Sequence, residues 1–225
     1  MDKEEKKEEA AKKALDIILS DLNEDTVLGI GTGSTTNYFI ELLKKENINI
    51  RGVVCSSFAS KKLFENSNFN ILELNEIYGI DFYVDGADEF NDRLELIKGG
   101  GGALTREKIL SDSAEKFICI VDDSKYSKKL GNFPLPIEVI DLARSSIARR
   151  VLKMGGKPVL RKGFISDNGN EIIDIYNLDI KVPFEMEMNL NFIPGVLENG
   201  IFSKRKADIL LISGNQRVDV QKLEE

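Results

Sequence analysis

The chain contains no histidine among its 225 residues. This absence excludes catalytic triads that use an imidazole, zinc sites ligated by histidine and the HExxH proteases. Acid–base chemistry near neutral pH must therefore use Asp, Glu, Lys, Cys or Tyr side chains, with pKa values shifted by their surroundings.

Cysteines and long apolar runs are also scarce. The two cysteines, Cys55 and Cys119, stand in apolar runs rich in β-branched residues, which favours buried strand thiols over a disulfide or a nucleophile. No apolar run approaches the roughly 18 residues of a membrane span, and the Lys/Glu-rich N-terminus lacks the apolar core of a signal peptide. These patterns predict a cytoplasmic protein with no membrane partner.

Positive charge is in deficit. There are 31 Lys and Arg residues against 38 Asp and Glu residues, a net charge of −7. A nucleic-acid partner is therefore not expected, whereas an anionic small molecule stays possible if its site supplies a local positive field. The length and the hydrophobic share of 42% suit one large domain or two small ones with a genuine core.

Apolar segments alternate with helical patterns over the first 130 residues. This alternation predicts an α/β fold with a Rossmann-like, mostly parallel sheet and helices on both faces. In such sheets, ligands bind at the carboxyl ends of the strands. The predicted strands are 26–30, 51–55, 70–74, 81–84, 94–97 and 117–122, and the predicted helices are 4–19, 36–45 and one capped by Ser57 that runs to about 65.

The pattern changes near Gly131. The order of elements that follows, β-α-β-β-α-β, predicts a small ferredoxin-like α+β domain. The apolar run 207–213 predicts a buried parallel strand that rejoins the first sheet. We therefore expect an α/β catalytic domain (1–130 and 203–225) with an inserted α+β domain (131–202). Within the insert, the predicted strands are 134–140, 158–161, 171–176 and 196–202, and the predicted helices are 145–154 and 183–190.

The most informative segment reads Lys-Gly-Gly-Gly-Gly-Ala-Leu-Thr-Arg-Glu, from Lys98 to Glu107. A glycine run favours positive φ or close approach to a ligand, and the helix formers behind it predict a helix N-terminus with Thr105 as N-cap. Such a turn binds anions and indicates a catalytic loop. Two ordinary alternatives remain: Glu107 could only stabilise the helix dipole, and Lys98 could be a surface residue.

A second glycine loop, from Gly29 to Thr35, joins a predicted strand to a predicted helix. Its backbone N–H groups and the hydroxyls of Ser34 and Thr35 suit a phosphate. It is not a dinucleotide fingerprint, because Ser34 replaces the third glycine, and it lacks the Gly-Lys-Ser/Thr ending of a Walker A loop. The alternative is a tight βα turn with ordinary capping.

Acidic residues follow another predicted strand in the sequence Asp85-Gly-Ala-Asp88-Glu89. Close carboxylates have divergent pKa values, so they could form a proton donor–acceptor pair or a Mg²⁺ site. The alternative is a solvated turn, which we favour for Glu89. Lys125, past a further strand end, could be a turn lysine.

Together these motifs resemble the type A ribose-5-phosphate isomerase family, in the right order over nearly the whole chain. The segments that carry the resemblance are GIGTGSTT (29–36), VDGADEF (84–90), IKGGGGALTREKIL (97–110), FICIVDDSK (117–125), FPLPIEVI (133–140), DNGN (167–170) and IPGVLENGIF (193–202).

The resemblance implies isomerisation of D-ribose 5-phosphate to D-ribulose 5-phosphate through an enediol(ate). It implies that Glu107 is the base that moves a proton between C2 and C1. It also implies no metal or organic cofactor, a homodimer or homotetramer, and an α/β domain with an inserted α+β domain. The implied substrate-binding residues are Thr32, Gly33, Ser34, Thr35, Asp85, Gly86, Ala87, Asp88, Lys98, Gly99, Gly100, Gly101 and Lys125, with Ser34 and Thr35 nearest the phosphate.

The required chemistry agrees with these roles. Without histidine, a partly desolvated Glu107 is the natural base for a proton next to a carbonyl. Lys98 and the glycine N–H groups can stabilise the enediolate oxygen, an effect of roughly 2.7–4 kcal/mol per donor in comparable oxyanion sites. We expect Asp85 to transfer the proton in ring opening.

Three classes of alternative function stay open. The scaffold could carry a sugar-phosphate deaminase, a lactonase or a CoA-transferase-like enzyme, since a fold does not fix a function. A non-catalytic sugar-phosphate sensor would need a DNA-binding motif, which the acidic N-terminal helix does not offer. A metal-dependent hydride-shift isomerase would use Asp85, Asp88 and Glu89 around Mg²⁺ or Mn²⁺.

Overall fold

The computed structural model describes residues 1–223, which divide into two compact units. The first unit consists of Met1–Gly86, Ile109–Ser124 and 207–223, and the second of Ala87–Lys108 and Lys125–Lys206. None of the helices in residues 1–223 is long and apolar enough to cross a membrane. The domain boundaries expected from the sequence stay a prediction.

The helices and strands are numbered in chain order. The helices are α1 (Lys3–Ile18), α2 (Ser34–Lys45), α3 (Phe58–Phe64), α4 (Leu104–Asp112), α5 (Arg144–Lys153) and α6 (Pro183–Asn191). The strands are β1 (Val27–Ile30), β2 (Gly52–Cys55), β3 (Ile80–Asp85), β4 (Glu89–Phe90), β5 (Leu96–Ile97), β6 (Ala114–Asp122), β7 (Leu135–Val139), β8 (Lys157–Leu160), β9 (Glu171–Tyr176), β10 (Val196–Asn199), β11 (Ile201–Phe202), β12 (Ile209–Ser213) and β13 (Val218–Lys222).

The first unit is built on a six-stranded sheet in the order β13-β12-β6-β3-β1-β2. All neighbouring strands are parallel except β13, which runs antiparallel to β12. The chain leaves β1 towards β2 on one side, and β3 continues the sheet on the other side. The carboxyl ends of β1 and β3 therefore flank a topological switch point, the usual ligand position in open α/β sheets.

Helix α1 shows why the N-terminal sequence folds as it does. Asp2 accepts the backbone N–H of Glu5, and the Glu5 carboxylate accepts the N–H of Asp2, which makes a capping box. The apolar face, with Ala14 and Ile18 fully buried, packs on α2, β6 and β12. The predicted amphipathic helix 4–19 is confirmed.

The second unit contains an antiparallel sheet in the order β10-β7-β9-β8, with α5 and α6 between its strands in the sequence. The succession β-α-β-β-α-β and this strand order are those of a ferredoxin-like fold. Its buried core includes Ile137, Ile147 and Ile173. The predicted fold class, a mostly parallel α/β sheet with a ferredoxin-like α+β insert, is confirmed. A small sheet, β11-β5-β4, completes this unit.

Several sequence predictions of local structure were wrong. The strand expected at 70–74 is reduced to an isolated bridge between Ile71 and Val53. The strand expected at 196–202 breaks at Gly200 into β10 and β11, which belong to different sheets. A Cβ at Gly200 would lie 2.2 Å from the Lys98 carbonyl oxygen, so the chain turns there against a neighbouring backbone. Strands β4 and β13 were not predicted.

Both cysteines are free and belong to strands of the first unit, as predicted. Cys119 is buried, and Cys55 is half-buried at the end of β2. Burial raises the pKa of the Cys55 thiol to about 12. A thiol with such a pKa is a poor nucleophile near neutral pH.

Candidate active site

The loop between β1 and α2 is shaped by two glycines. Gly31 has no room for a side chain, because a Cβ there would lie 1.9 Å from Cγ of Asp85. Gly33 has a φ of +132°, which favours glycine, and a Cβ there would meet nothing within 4 Å. Ser34 begins α2, and Thr35 follows in its first turn. The exposed end of this loop thus presents backbone and hydroxyl donors at a helix N-terminus.

A cluster of hydrogen-bonded hydroxyl groups supports the loop between β1 and α2. The Oγ1 atom of Thr32 lies 2.8 Å from Oγ of Ser56 and donates to Oγ of Ser57 at 2.8 Å. The Ser60 hydroxyl donates to the Gly31 carbonyl oxygen at 2.5 Å. All three serines are buried. The sequence analysis identified Ser57 only as a helix cap, a role confirmed by the Ser60 N–H that it accepts at 3.1 Å.

Asp85 is fully buried at the carboxyl end of β3. Its Oδ1 atom accepts the backbone N–H of Thr32 at 3.0 Å and that of Gly86 at 2.7 Å. The hydroxyl of Thr36 also donates to Oδ1 at 3.3 Å, and the phenol of Tyr83 donates to Oδ2. Asp85 therefore fixes the β1–α2 loop against the end of β3, and it is not part of a solvated turn.

In the second unit, Lys98 and Glu107 form a buried ion pair. Each residue is 2% exposed, and Lys98 Nζ lies 3.2 Å from Glu107 Oε2. The ring of Phe202 lies beside the ammonium group, 5.6 Å from Nζ to the ring centroid. The alternative that Lys98 is a surface residue is therefore wrong. A buried ammonium–carboxylate pair interacts more strongly than an exposed one, because little water screens it.

The glycine run adopts the conformation that its composition favours. Gly99 has a φ of +106° and Gly102 a φ of +80°, and the Gly102 N–H closes a turn on the Gly99 carbonyl at 2.9 Å. Gly100 donates its N–H to Oδ2 of Asp88 at 2.7 Å, and a Cβ on Gly100 would lie 2.7 Å from Oδ1 of the same carboxylate. Gly100 and Gly101 are exposed.

The residues that precede Glu107 fasten the start of α4. The helix begins at Leu104, so the prediction of Thr105 as N-cap was wrong. Thr105 instead lies in the first turn and donates its hydroxyl to the buried carboxylate of Glu138 on β7. Arg106 donates to Oδ1 of Asn168 at 2.8 Å and to the carbonyl of Asp167 at 2.9 Å.

Glu138 is the central hydrogen-bond acceptor among the residues that hold the start of α4. Besides Thr105, it accepts hydrogen bonds from Ser166 at 2.6 Å, Asn168 at 3.2 Å and Asn170 at 2.9 Å. Four neutral donors thus satisfy one fully buried carboxylate. The DNGN segment, which the sequence analysis named only as part of the family resemblance, thus supplies two of these donors, Asn168 and Asn170.

Lys108, the residue after Glu107, anchors the same turn to other parts of the second unit. Its ammonium lies 2.9 Å from a Glu187 oxygen and 3.0 Å from a Glu198 oxygen. It also donates to the carbonyls of Asn199 at 2.8 Å and Ile201 at 2.7 Å. The polar residues on both sides of Glu107 therefore hold its backbone in place. Only Thr105 among them was singled out from the sequence, and in a different role, as the N-cap.

Glu89 corrects another sequence prediction. We expected it in a solvated turn, but it is 2% exposed on β4. Its carboxylate accepts the backbone N–H groups of Gly131, Asn132 and Phe133 at 3.0–3.1 Å. Glu89 therefore has a structural role, which occupies the oxygens that a metal ion would need. In residues 1–223, no group of three or more His, Cys, Asp or Glu side chains is arranged to hold a metal.

The structure therefore joins some of the predicted site residues within each unit. In the first unit, Thr32, Asp85 and Gly86 are hydrogen-bonded together, beside Gly33, Ser34 and Thr35. In the second unit, Lys98 pairs with Glu107, and Gly100 pairs with Asp88 between Gly99 and Gly101. Ala87 and Lys125 are half-buried.

Comparison with known proteins points to one family. The sequence-family model for ribose 5-phosphate isomerase A (phosphoriboisomerase A) matches residues 52–217 of this chain. Ribose-5-phosphate isomerase A of Legionella pneumophila (strain Lens) is 49% identical over 207 residues, which cover 92% of this chain and 96% of that protein.

Solved structures match the chain over 97–100% of its length. Ribose 5 phosphate isomerase A from Neisseria gonorrhoeae has a TM-score of 0.94 at 44% identity and covers 100% of this chain and 99% of its own. The corresponding enzyme of Methanocaldococcus jannaschii has a TM-score of 0.90 at 39% identity, with coverages of 97% and 99%. A D-ribose-5-phosphate isomerase in complex with phospho-erythronic acid has a TM-score of 0.92 at 41% identity, with coverages of 99% and 100%. The chain belongs to the ribose 5-phosphate isomerase A family.

Proposed function

We propose that this chain catalyses the reversible isomerisation of D-ribose 5-phosphate to D-ribulose 5-phosphate. Family membership supports the reaction. The observation that carries the mechanism is the buried pair of Lys98 and Glu107 behind a glycine run. A carboxylate kept from bulk water beside a fixed positive charge suits removal of a proton next to a carbonyl.

In this mechanism, Glu107 is the proton carrier. Its carboxylate removes the proton from C2 of the open-chain aldose, and the electron pair of that C–H bond forms the C1–C2 double bond. The aldehyde oxygen on C1 gains the negative charge of an enediolate. Glu107 then returns the proton to C1 while the O2 proton moves to O1, which leaves a ketone at C2. Lys98 supplies fixed positive charge as the oxyanion develops.

In this proposal, Thr32, Gly33, Ser34 and Thr35 lie along the substrate, with Ser34 and Thr35 nearest the phosphate. The start of α2 offers unpaired N–H groups and the positive end of a helix dipole, and Gly33 lets a ligand approach the backbone. Phosphate binding of this kind holds the reacting end of the sugar in register. The contacts proposed for the remainder of the sugar are those of Gly86, Ala87, Asp88, Gly99, Gly100, Gly101 and Lys125, with Asp85 as the group for ring opening.

We also propose that the enzyme needs no metal or organic cofactor, acts in the cytoplasm and forms a homodimer or homotetramer. Light scattering during size-exclusion chromatography distinguishes the two assemblies from each other and from a monomer. A monomer at micromolar concentration would contradict the proposed assembly.

The first experiment tests the reaction itself. Purified protein in excess EDTA and D₂O should interconvert the two pentose phosphates and incorporate deuterium from solvent, because Glu107 exchanges its proton with water between the two transfers. A strict metal requirement would contradict the proposal and favour a hydride shift, as would turnover without any solvent deuterium.

The second experiment tests the assigned base. Glu107→Gln keeps the shape of the side chain but cannot accept a proton, so kcat should fall by about 10²- to 10⁴-fold, the usual contribution of general acid–base catalysis. Substrate binding, measured by calorimetry, should persist. The matched control is Glu185→Gln, at an exposed glutamate in the first turn of α6. Unchanged turnover in Glu107→Gln would rule out the mechanism.

A further inference from the structure

Arg161 follows β8 and is held by an aspartate of the neighbouring strand β9. Its Nε atom donates to Oδ2 of Asp174 at 2.9 Å, and its Nη2 atom donates to Oδ1 at 2.5 Å. Both side chains are largely buried, with 18% and 16% of their surface exposed. This two-point contact fixes the plane of the guanidinium, which a lysine could not reproduce.

The other side of the guanidinium contacts the glycine run. Nη1 and Nη2 each lie 3.3 Å from the Gly99 carbonyl oxygen, and Nη1 lies 3.2 Å from that of Gly100. The ring of Phe164 lies 5.3 Å from the guanidinium carbon. An ion pair that served only to join β8 and β9 would need Asp174 alone. The contacts with two successive carbonyls orient the peptides of the run.

The peptide between Gly99 and Gly100 links Arg161 to Asp88. Its carbonyl accepts from Arg161, and its N–H, which belongs to Gly100, donates to Asp88 Oδ2 at 2.7 Å. Hydrogen bonds in such a chain polarise one another, so a cation on the carbonyl makes the N–H a stronger donor. The positive charge of Arg161 thereby acts on the Asp88 carboxylate without touching it.

We propose that Arg161, oriented by Asp174, is a positioning residue for the isomerase reaction that fixes the glycine run and, through the Gly99–Gly100 peptide, the Asp88 carboxylate. This inference rests on the proposed function, in which Asp88 and the run contact the sugar. It adds a residue next to the ferredoxin-like sheet that makes none of the proposed sugar contacts itself.

The inference is tested by steady-state kinetics of Arg161 variants and of a matched control variant. Arg161→Gln should lower kcat/KM by up to roughly 100-fold, since small misplacements of site groups can cost that much. Arg161→Lys should recover only part of the loss, because an ammonium cannot contact both carbonyls and both carboxylate oxygens. The control Arg149→Gln, on an exposed arginine of α5, should retain wild-type kinetics.

A double-mutant cycle separates positioning from general loss of stability. If Arg161 acts through Asp88, the double variant Arg161→Gln/Asp88→Asn should lose clearly less than the product of the two single losses in kcat/KM. Losses that multiply would overturn the inference, as would wild-type kinetics in Arg161→Gln.

Hydrogen exchange of the Gly100 N–H with solvent tests the same contact without a measurement of catalysis. In Arg161→Gln, the Gly100 N–H should exchange with solvent faster than in the wild type and in Arg149→Gln, because its acceptor is no longer held in place. Equal exchange in all three proteins would also overturn the inference. Wild-type protein inactive on ribose 5-phosphate would instead refute the proposed function, and this inference with it. An active wild type with unaffected Arg161 variants would refute this inference alone.

Discussion

Among single residues, Gly31 illustrates how an absent side chain can define a site. The space that a Cβ would take at Gly31 is filled by the carboxylate of Asp85, which in turn holds the Thr32 N–H. The glycine is therefore needed for the position of a neighbouring carboxylate. Flexibility alone does not explain it.

Gly31→Ala should displace Asp85 and loosen the β1–α2 loop. We expect a loss of about 1–3 kcal/mol in the free energy of unfolding, the usual cost of overpacking, with a marked fall in kcat/KM. Urea unfolding and steady-state kinetics measure both. The control is Gly79→Ala, where a Cβ would meet only the Ser113 carbonyl oxygen at an ordinary 3.6 Å. Equal stability of the two variants would contradict the steric explanation.

Among the elements, the first turn of α4 is set by its neighbours more than by its own helix propensity. Its predicted hydroxyl cap, Thr105, lies inside the helix, and Thr105, Arg106 and Lys108 each bind a different part of the second unit. Such support suits the proposed role of Glu107 as the base, because the effect of a base depends on its distance to the reacting carbon.

Lys108→Met should be strongly destabilising. It removes the cation between Glu187, whose side chain is 4% exposed, and Glu198, and it leaves two carbonyls without their donor. Breaking a buried ion pair costs about 3–5 kcal/mol, which urea unfolding can measure. The exposed Lys153→Met, at the end of α5, should change stability little. A small effect of Lys108→Met would show that water replaces the ammonium group.

Helices and strands were predicted well where the apolar periodicity of the sequence was strong. They were predicted poorly where tertiary contacts determine the local structure. The strand Glu171–Tyr176 was predicted with its observed bounds. The edge strand β13 was not predicted, because its residues are mostly exposed and show little apolar periodicity. The break at Gly200 depends on the approach of the Lys98 backbone, which no local pattern reveals.

The residues of the candidate site also differ in how well the sequence predicted them. Glycine runs and charged residues at strand ends are local patterns, and they were enough to point to Lys98, Glu107 and Asp85. The supporting residues, such as Ser60, Glu138 and Arg161, look like ordinary polar residues in the sequence. Their roles depend on tertiary contacts, so a single sequence could not assign them.

For the whole molecule, the absence of histidine has a thermodynamic consequence. No imidazole changes its protonation between the folded and the unfolded chain near neutral pH. The free energy of unfolding should therefore be nearly flat between about pH 6 and 8, because its slope follows the difference in bound protons. Calorimetric unfolding enthalpies at pH 7 should agree in phosphate and Tris buffers. A buffer-dependent enthalpy would reveal a buried group that changes its protonation on unfolding.

The strand order of the first unit explains why its polar residues collect at one edge of the sheet. Parallel strands β1 and β3 are neighbours, so the loops after Ile30 and Asp85 begin side by side. The sequence alternation predicted a parallel sheet, but it did not specify this order, since strand order depends on long-range pairing.

The carboxylate of Glu89 has a consequence for large-scale mutagenesis. Three consecutive main-chain N–H groups donate to it. We therefore expect its replacement to disturb folding and to leave the chemistry of correctly folded molecules intact. If Glu107 is the base, as proposed, a selection for growth on a pentose should nevertheless rank Glu89 with Glu107, since both losses lower flux. Normalising turnover to the amount of native enzyme separates a loss of folding from a loss of catalysis.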